Sequence, residues 1–138
     1  MKTVNGTSLL VTAVLAACGF TATAMGQDEC ATATLANLGP NPYSLGTATP
    51  STDAIDDTQC AGTYLDWNNS PDVWFTYNSQ TSGTINVNTC DAAGGHDSSL
   101  VVYSGSCGAL VQVGCNGDGS GIEGCQGFYS NITGLSIG

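Results

Sequence analysis

Beyond Gly26 the hydrophobic positions come in short runs of Val, Ile, Thr, Tyr, Phe and Trp, broken every few residues by clusters of Gly, Asn, Asp and Ser. No stretch repeats apolar residues at helical spacing, so the pattern predicts many short strands. The clearest cover Asp72–Asn78, Gly83–Thr89, Ser98–Ser104, Ala109–Gly114 and Phe128–Thr133, with a weaker early strand over Tyr43–Ala48. Ile85 and Val87 alternate with Asn86 and Asn88, and Val73, Phe75 and Tyr77 with Trp74 and Thr76, which predicts two half-buried strands in one sheet of a sandwich. Trp74 is expected in the core. Ser79–Ser82 connects the first two of these strands, and Ser104–Gly108 makes a tight hairpin of the next two. A long polar loop starts near Pro50 and closes at Asn68–Pro71, with Cys60 as its tether. The expected fold is therefore all-β, an antiparallel β-sandwich. Six strands fall short of the roughly seven that sandwiches use, so the last strand is expected to be missing, leaving an edge open to pairing with another chain.

The N-terminal stretch carries a different pattern. Lys2 precedes an apolar run, Leu9–Phe20, and a small-residue run, Thr21–Gly26, which is the layout of an export signal. Cleavage after Gly26 leaves Gln27 first and a domain over residues 27–138. The apolar run is too short for a bilayer anchor of roughly 20 residues, and membrane insertion is not expected. Leu15-Ala16-Ala17-Cys18 also matches a lipobox, which would make Cys18 a lipidated N-terminus.

Either cut takes Cys18 out of the pairing pool and leaves Cys30, Cys60, Cys90, Cys107, Cys115 and Cys125. An even number in an exported chain points to three disulfides, and no CxxC or HxxxH spacing supports a metal–thiolate site. The sequence permits fifteen pairings. The sequential set, Cys30–Cys60, Cys90–Cys107 and Cys115–Cys125, closes the shortest loops and is the expectation adopted.

Lys2 is the only Lys or Arg, and the eleven Asp and Glu all follow Gln27. The formal charge is −10 with Lys2 and −11 without it. Nucleic acid and anionic membranes, which need Lys or Arg to neutralise phosphate, are excluded as partners. Cations, neutral glycans and protein surfaces remain.

Five ordered blocks carry a resemblance: Asp28-Glu29-Cys30; Asp72-Val73-Trp74-Phe75-Thr76-Tyr77; Gly83 to Cys90 (GTINVNTC); Asp97 to Gly108, which includes SSLVVYSGSCG; and Val113-Gly114-Cys115-Asn116. The chain resembles the bacterial pre-peptidase C-terminal-like domain family, in the cysteine-bearing version of exported proteins of planctomycetes and related marine bacteria. Asn116-Gly117-Asp118 departs from that family's C-N-D-D turn by a glycine, and its final arginine-bearing strand is absent. The resemblance implies a jelly-roll-like sandwich found beside the catalytic domains of secreted peptidases or in tandem on surface proteins, itself non-catalytic.

Candidate sites are few. Asn116, Asp118 and Ser120 place oxygens at alternate positions before Gly121, like the front of an EF-hand loop, but Gly127 stands where its closing Glu belongs. Calcium would need Glu123 or Asp97 to complete its shell. The plain alternative is a glycine-rich turn closed by cysteines. Asp53, Asp56 and Asp57 form a second acidic group, read as a solvated loop that could also face a cation. His96 lies beside Asp97 and Ser98, yet neighbours on a strand point to opposite faces, so no triad is expected. With no lysine, arginine or free thiol after the leader, no catalytic residue is assigned. Among the aromatics, Tyr64 and Trp67, in the polar loop, are the expected ligand contacts. The expected function is a non-catalytic extracellular binding or accessory module for adhesion or for matrix or glycan targeting, with calcium as its one candidate ion. A structural repeat of a surface protein and a secreted hydrolase are the alternatives.

Overall fold

The computed structural model describes residues 8–15 (backbone), 27–51, 55–60, 67, 69–90, 97–119, 125 and 127–138. Seven strands fall among them: β1 (Ser8–Leu15), β2 (Thr34–Leu35), β3 (Asp72–Asn78), β4 (Gly83–Asn88), β5 (Ser98–Ser106), β6 (Ala109–Asn116) and β7 (Asn131–Ile137). The only helical turns among the described residues are 3-10 turns over Cys30–Thr32 and Asp57–Gln59. The chain is thus mostly β, as the alternation predicts.

The strands form a five-stranded sheet in the order β2-β3-β1-β5-β6 and a two-stranded sheet of β4 and β7. β3 and β4 are consecutive but belong to different sheets, which corrects their expected placement in one. Nor is β3 half-buried. Val73 and Phe75 pack in one core cluster with Leu100, Val102 and Leu135, while Trp74 packs in a second with Cys60, Trp67, Val101 and Tyr103. A strand covered on both faces reads as a continuous buried run however its residues alternate in polarity. The first cluster also gathers Ile85, Val87, Ile132 and Ile137, so it joins the two sheets.

β1 lies within the segment that reads as an export signal. It pairs antiparallel with β3, Ser8 opposite Asn78 through Val14 opposite Asp72, and with β5, Leu9 opposite Ser104 through Leu15 opposite Ser98.

Two strand boundaries moved for identifiable reasons. Residues 43–48 are not a strand: the Ala48 N–H donates to the Leu45 carbonyl at 2.5 Å in a turn through Gly46. The last strand starts at Asn131 rather than Phe128, because Ser130 is held across the sheets. Its N–H donates to Thr89 Oγ1 (2.9 Å), its carbonyl accepts from Thr89 N–H (3.0 Å), and its Oγ donates to the Ser98 carbonyl (2.5 Å). β7 then runs on through Leu135, which is buried, to Ile137. The β5–β6 hairpin turns where expected; at Gly105 a Cβ would lie 2.5 Å from the Ala109 carbonyl oxygen, so only glycine fits.

Three disulfides form, but in none of the sequential pairs. Cys30 joins Cys107, Cys60 joins Cys115 and Cys90 joins Cys125, over 77, 55 and 35 residues, with Cα separations of 5.8, 4.9 and 4.8 Å. Sheet geometry explains the correction. Cys90 follows Thr89, whose Oγ1 lies 2.6 Å from Ser98 Oγ at the start of β5. Cys107 follows Ser106 at the far end of β5, so the two are separated by that strand's length, roughly 3.3 Å per residue. Cys60 reaches β6 because Asp56 N–H donates to Gln112 Oε1 (2.9 Å) and Gln112 Nε2 donates to the Asp56 carbonyl (3.2 Å). Three such bonds belong to an oxidising, extracytoplasmic setting.

Candidate functional site

A cleft of about 1010 Å³ lies on the side of the five-stranded sheet that faces β4. Phe75 and Tyr77 of β3, Leu100 of β5 and Ile85 and Val87 of β4 supply its apolar surface, and residues 36–43 form a rim. It is the unfilled continuation of the core cluster shared by the two sheets: Val87, Ile85 and Tyr77 pack against that cluster only partly buried.

Its rim is shaped by local chemistry. Ala36 N–H donates to the Thr76 carbonyl (2.8 Å), fixing the segment to β3. Asn41 closes the turn alone: its Oδ1 accepts from Asn37 N–H (2.9 Å), and its Nδ2 donates to the carbonyls of Asn37 and Gly39 (2.8 Å each). Gly39 takes φ of +98°, and Pro40 and Pro42 stiffen the chain on either side of Asn41. A rim ordered in advance loses little entropy when a ligand arrives. It holds Leu38 and Tyr43 at the surface.

Across the cleft the register of β4 against β7 slips between Ile85 and Val87. Gly134, at φ +69°, donates its N–H to Asn86 Oδ1 (2.9 Å), and Cys90 N–H donates to Asn88 Oδ1 (3.1 Å). Both side chains are therefore oriented oxygen-inward. Their amide nitrogens have no protein partner among the described residues and are donors for a ligand. Among the described residues that line the cleft there is no carboxylate, histidine, lysine or arginine. The arrangement can stack flat rings on Tyr43 and Tyr77 and hydrogen-bond neutral hydroxyls.

The residues singled out from sequence lie elsewhere. Trp67, an expected contact, is buried in the second core cluster with Trp74, whose ring stacks on Tyr103 at 5.7 Å and 17°. It cannot meet a ligand; a polar loop had concealed that its tryptophan packs inward beside Cys60. Tyr64, Ser120, Glu123, His96 and Asp53 lie outside the described residues.

Of the calcium set, Asn116 has its Oδ1 occupied by Asn131 N–H (2.8 Å) and donates Nδ2 to the Asp118 carbonyl (3.1 Å), a brace between β6 and β7. Asp97 is raised above its ordinary pKa by burial first and by the charge of Asp118 second. Among the described residues no group of three or more Asp, Glu, His or Cys is arranged to hold a metal ion. In the other acidic group, Asp56 caps the turn at Asp57–Gln59. It accepts from Thr58 N–H (3.0 Å), Thr58 Oγ1 (2.5 Å) and Gln59 Nε2 (3.0 Å), and these bonds lower its pKa.

One acidic site escaped the sequence reading. Asp72, at the start of β3, is buried and accepts from Ser51 N–H (3.1 Å) and Ser51 Oγ (2.8 Å); Ser51 Oγ in turn accepts from Trp74 Nε1 (2.6 Å). Burial pushes its pKa up to about 6 against the pull of Ser51, and the nearby Glu29 and Asp28 add to the rise. An acid opening a strand of alternating residues was the available signal.

No family model matches the chain, and comparisons with curated proteins and with solved structures find no match either.

Proposed function

We propose that the chain is a non-catalytic extracellular binding module, exported with cleavage after Gly26, whose cleft receives a neutral glycan. Its sheets are read as the two layers of a jelly-roll-like sandwich of the pre-peptidase C-terminal-like kind. The observation that carries the function is the cleft itself: aromatic and aliphatic walls, asparagine amides at the edge, and no charged side chain among the described residues that line it. Sugars need that combination, because their rings offer apolar C–H faces and their rims offer hydroxyls. A charged ligand would enter an uncharged recess in a chain with eleven acids and a single Lys or Arg, which disfavours anions most.

The test is an array of neutral oligosaccharides, followed by calorimetry of the strongest binder against the native chain and Tyr43→Ala. Saturable binding weakened about tenfold by the substitution, roughly 1.4 kcal/mol, is expected. Binding restricted to sulfated or sialylated glycans, or unchanged in Tyr43→Ala, would refute the assignment. Calcium is a second part of the proposal, and what supports it is the charge of Asp118 acting on Asp97.

A further inference from the structure

The central position of β1 has a consequence for the processed chain. β3 and β5 both run antiparallel to β1, each in register with it over seven residues, and neither pairs with the other. Removal of residues 1–26 would leave a slot one strand wide, with β3 and β5 about 9.5 Å apart, twice the ordinary strand spacing. Two rows of backbone N–H and C=O groups would line it, and such groups are costly to leave unpaired next to a core. The slot lies between apolar layers on both faces. Phe75 and Val102, its neighbours on one level, belong to the cluster between the sheets; Trp74 and Val101, on the next, belong to the cluster on the opposite face.

We propose that the slot between β3 and β5 is a strand-acceptor site, filled after leader removal by an uncharged apolar β-strand donated by a second polypeptide. The proposal rests on the reading of residues 1–26 as a cleaved leader. The chemistry of the donor follows from the walls. Both faces are apolar, so the donor carries apolar residues at consecutive rather than alternate positions, as Ser8–Leu15 (SLLVTAVL) does. It enters at the end marked by Asn78 and Ser104 and runs toward Asp72 and Ser98. Residues 27–138 contain no second run of this kind outside β3 to β7, so none of these residues is left over to fill the slot. Main-chain pairing on both sides supplies the affinity, and the two apolar faces supply the selection against charge.

The test starts from the full chain with a protease site in place of residues 21–26, cut after folding. A fluorescent peptide with the sequence of residues 8–15 is then added, and amide hydrogen exchange is followed at β3 and β5. Expected are one-to-one uptake of the peptide and at least a tenfold rise in exchange at β3 and β5 when the original fragment leaves, reversed by the peptide. A peptide carrying Val11→Asp and Ala13→Asp should not be taken up. If the cut chain unfolds on losing its fragment, refolding that depends on the apolar peptide and not on the charged one supports the proposal equally. Full protection of β3 and β5 with the fragment gone, or equal uptake of both peptides, would overturn it. N-terminal sequencing of the exported product reports separately on the leader: a chain beginning at Gln27 keeps that reading even when the peptide fails to bind, and a chain retaining residues 8–15 removes it.

Discussion

Strands β3 and β5 send alternate side chains to two faces built in opposite ways. On one, Trp74 stacks on Tyr103, Trp67 and Val101 pack beside them, and the Cys60–Cys115 bridge lies against the cluster. On the other, Val73, Phe75, Leu100 and Val102 meet the smaller sheet, and the packing stops short at a cleft of about 1010 Å³. Interiors ordinarily pack to crystal density. A recess beside a sealed core on the same two strands therefore separates a face that is packed closed from a face that stays open.

The largest effect should come from emptying the sealed face. Trp74→Ala is expected to cost about 3–5 kcal/mol in denaturant unfolding. Phe75→Ala, which borders a recess already present, should cost less; equal losses would mean that the two faces are packed alike. Next, replacing Cys60 and Cys115 together by Ala should remove about 2–4 kcal/mol while glycan binding at the cleft persists in the folded fraction.

A third comparison uses pH. Asp72 has a folded pKa of about 6, above its ordinary 3.8, so the folded state holds a proton that the unfolded state has released. Its contribution is fully present below about pH 4 and is lost as pH rises through 6. Asp72→Asn should flatten that part of the stability–pH curve; a difference between the two chains that grows toward acid pH in favour of Asn would contradict the assignment. Smaller still, Tyr77→Ala should weaken glycan binding several-fold with only a modest fall in melting temperature, measured by calorimetry on one preparation. The smallest effect belongs to calcium: millimolar ion should add at most about 1 kcal/mol, and nothing in Asp118→Ala.

The difference between the faces also marks what was legible in the sequence. β3, β5 and β6 could be read because dense runs of β-branched and aromatic residues are bounded by glycine, serine and asparagine. The number of disulfides followed from an even cysteine count after Gly26. Their partners could not be read, since Cys60 meets Cys115 where Asp56 and Gln112 join across 56 positions. Trp67 was misjudged for the same reason: local polarity around a loop says nothing of the core it folds over. The cleft was legible only in fragments. Ile85, Asn86, Val87 and Asn88 announced a two-faced strand, but the rim depends on Asn41 folding back on Asn37 and Gly39, a contact that composition does not reveal.

The most direct measurement is an NMR titration of the isotope-labelled chain with the neutral oligosaccharide that gives the strongest array signal. Amide shifts confined to residues 36–43 and 85–90, with Trp67, Trp74 and Tyr103 unmoved, are the expected result. Shifts centred on Trp67 and Tyr103, or saturation with no shift along the rim, would contradict a ligand face opposite the sealed core.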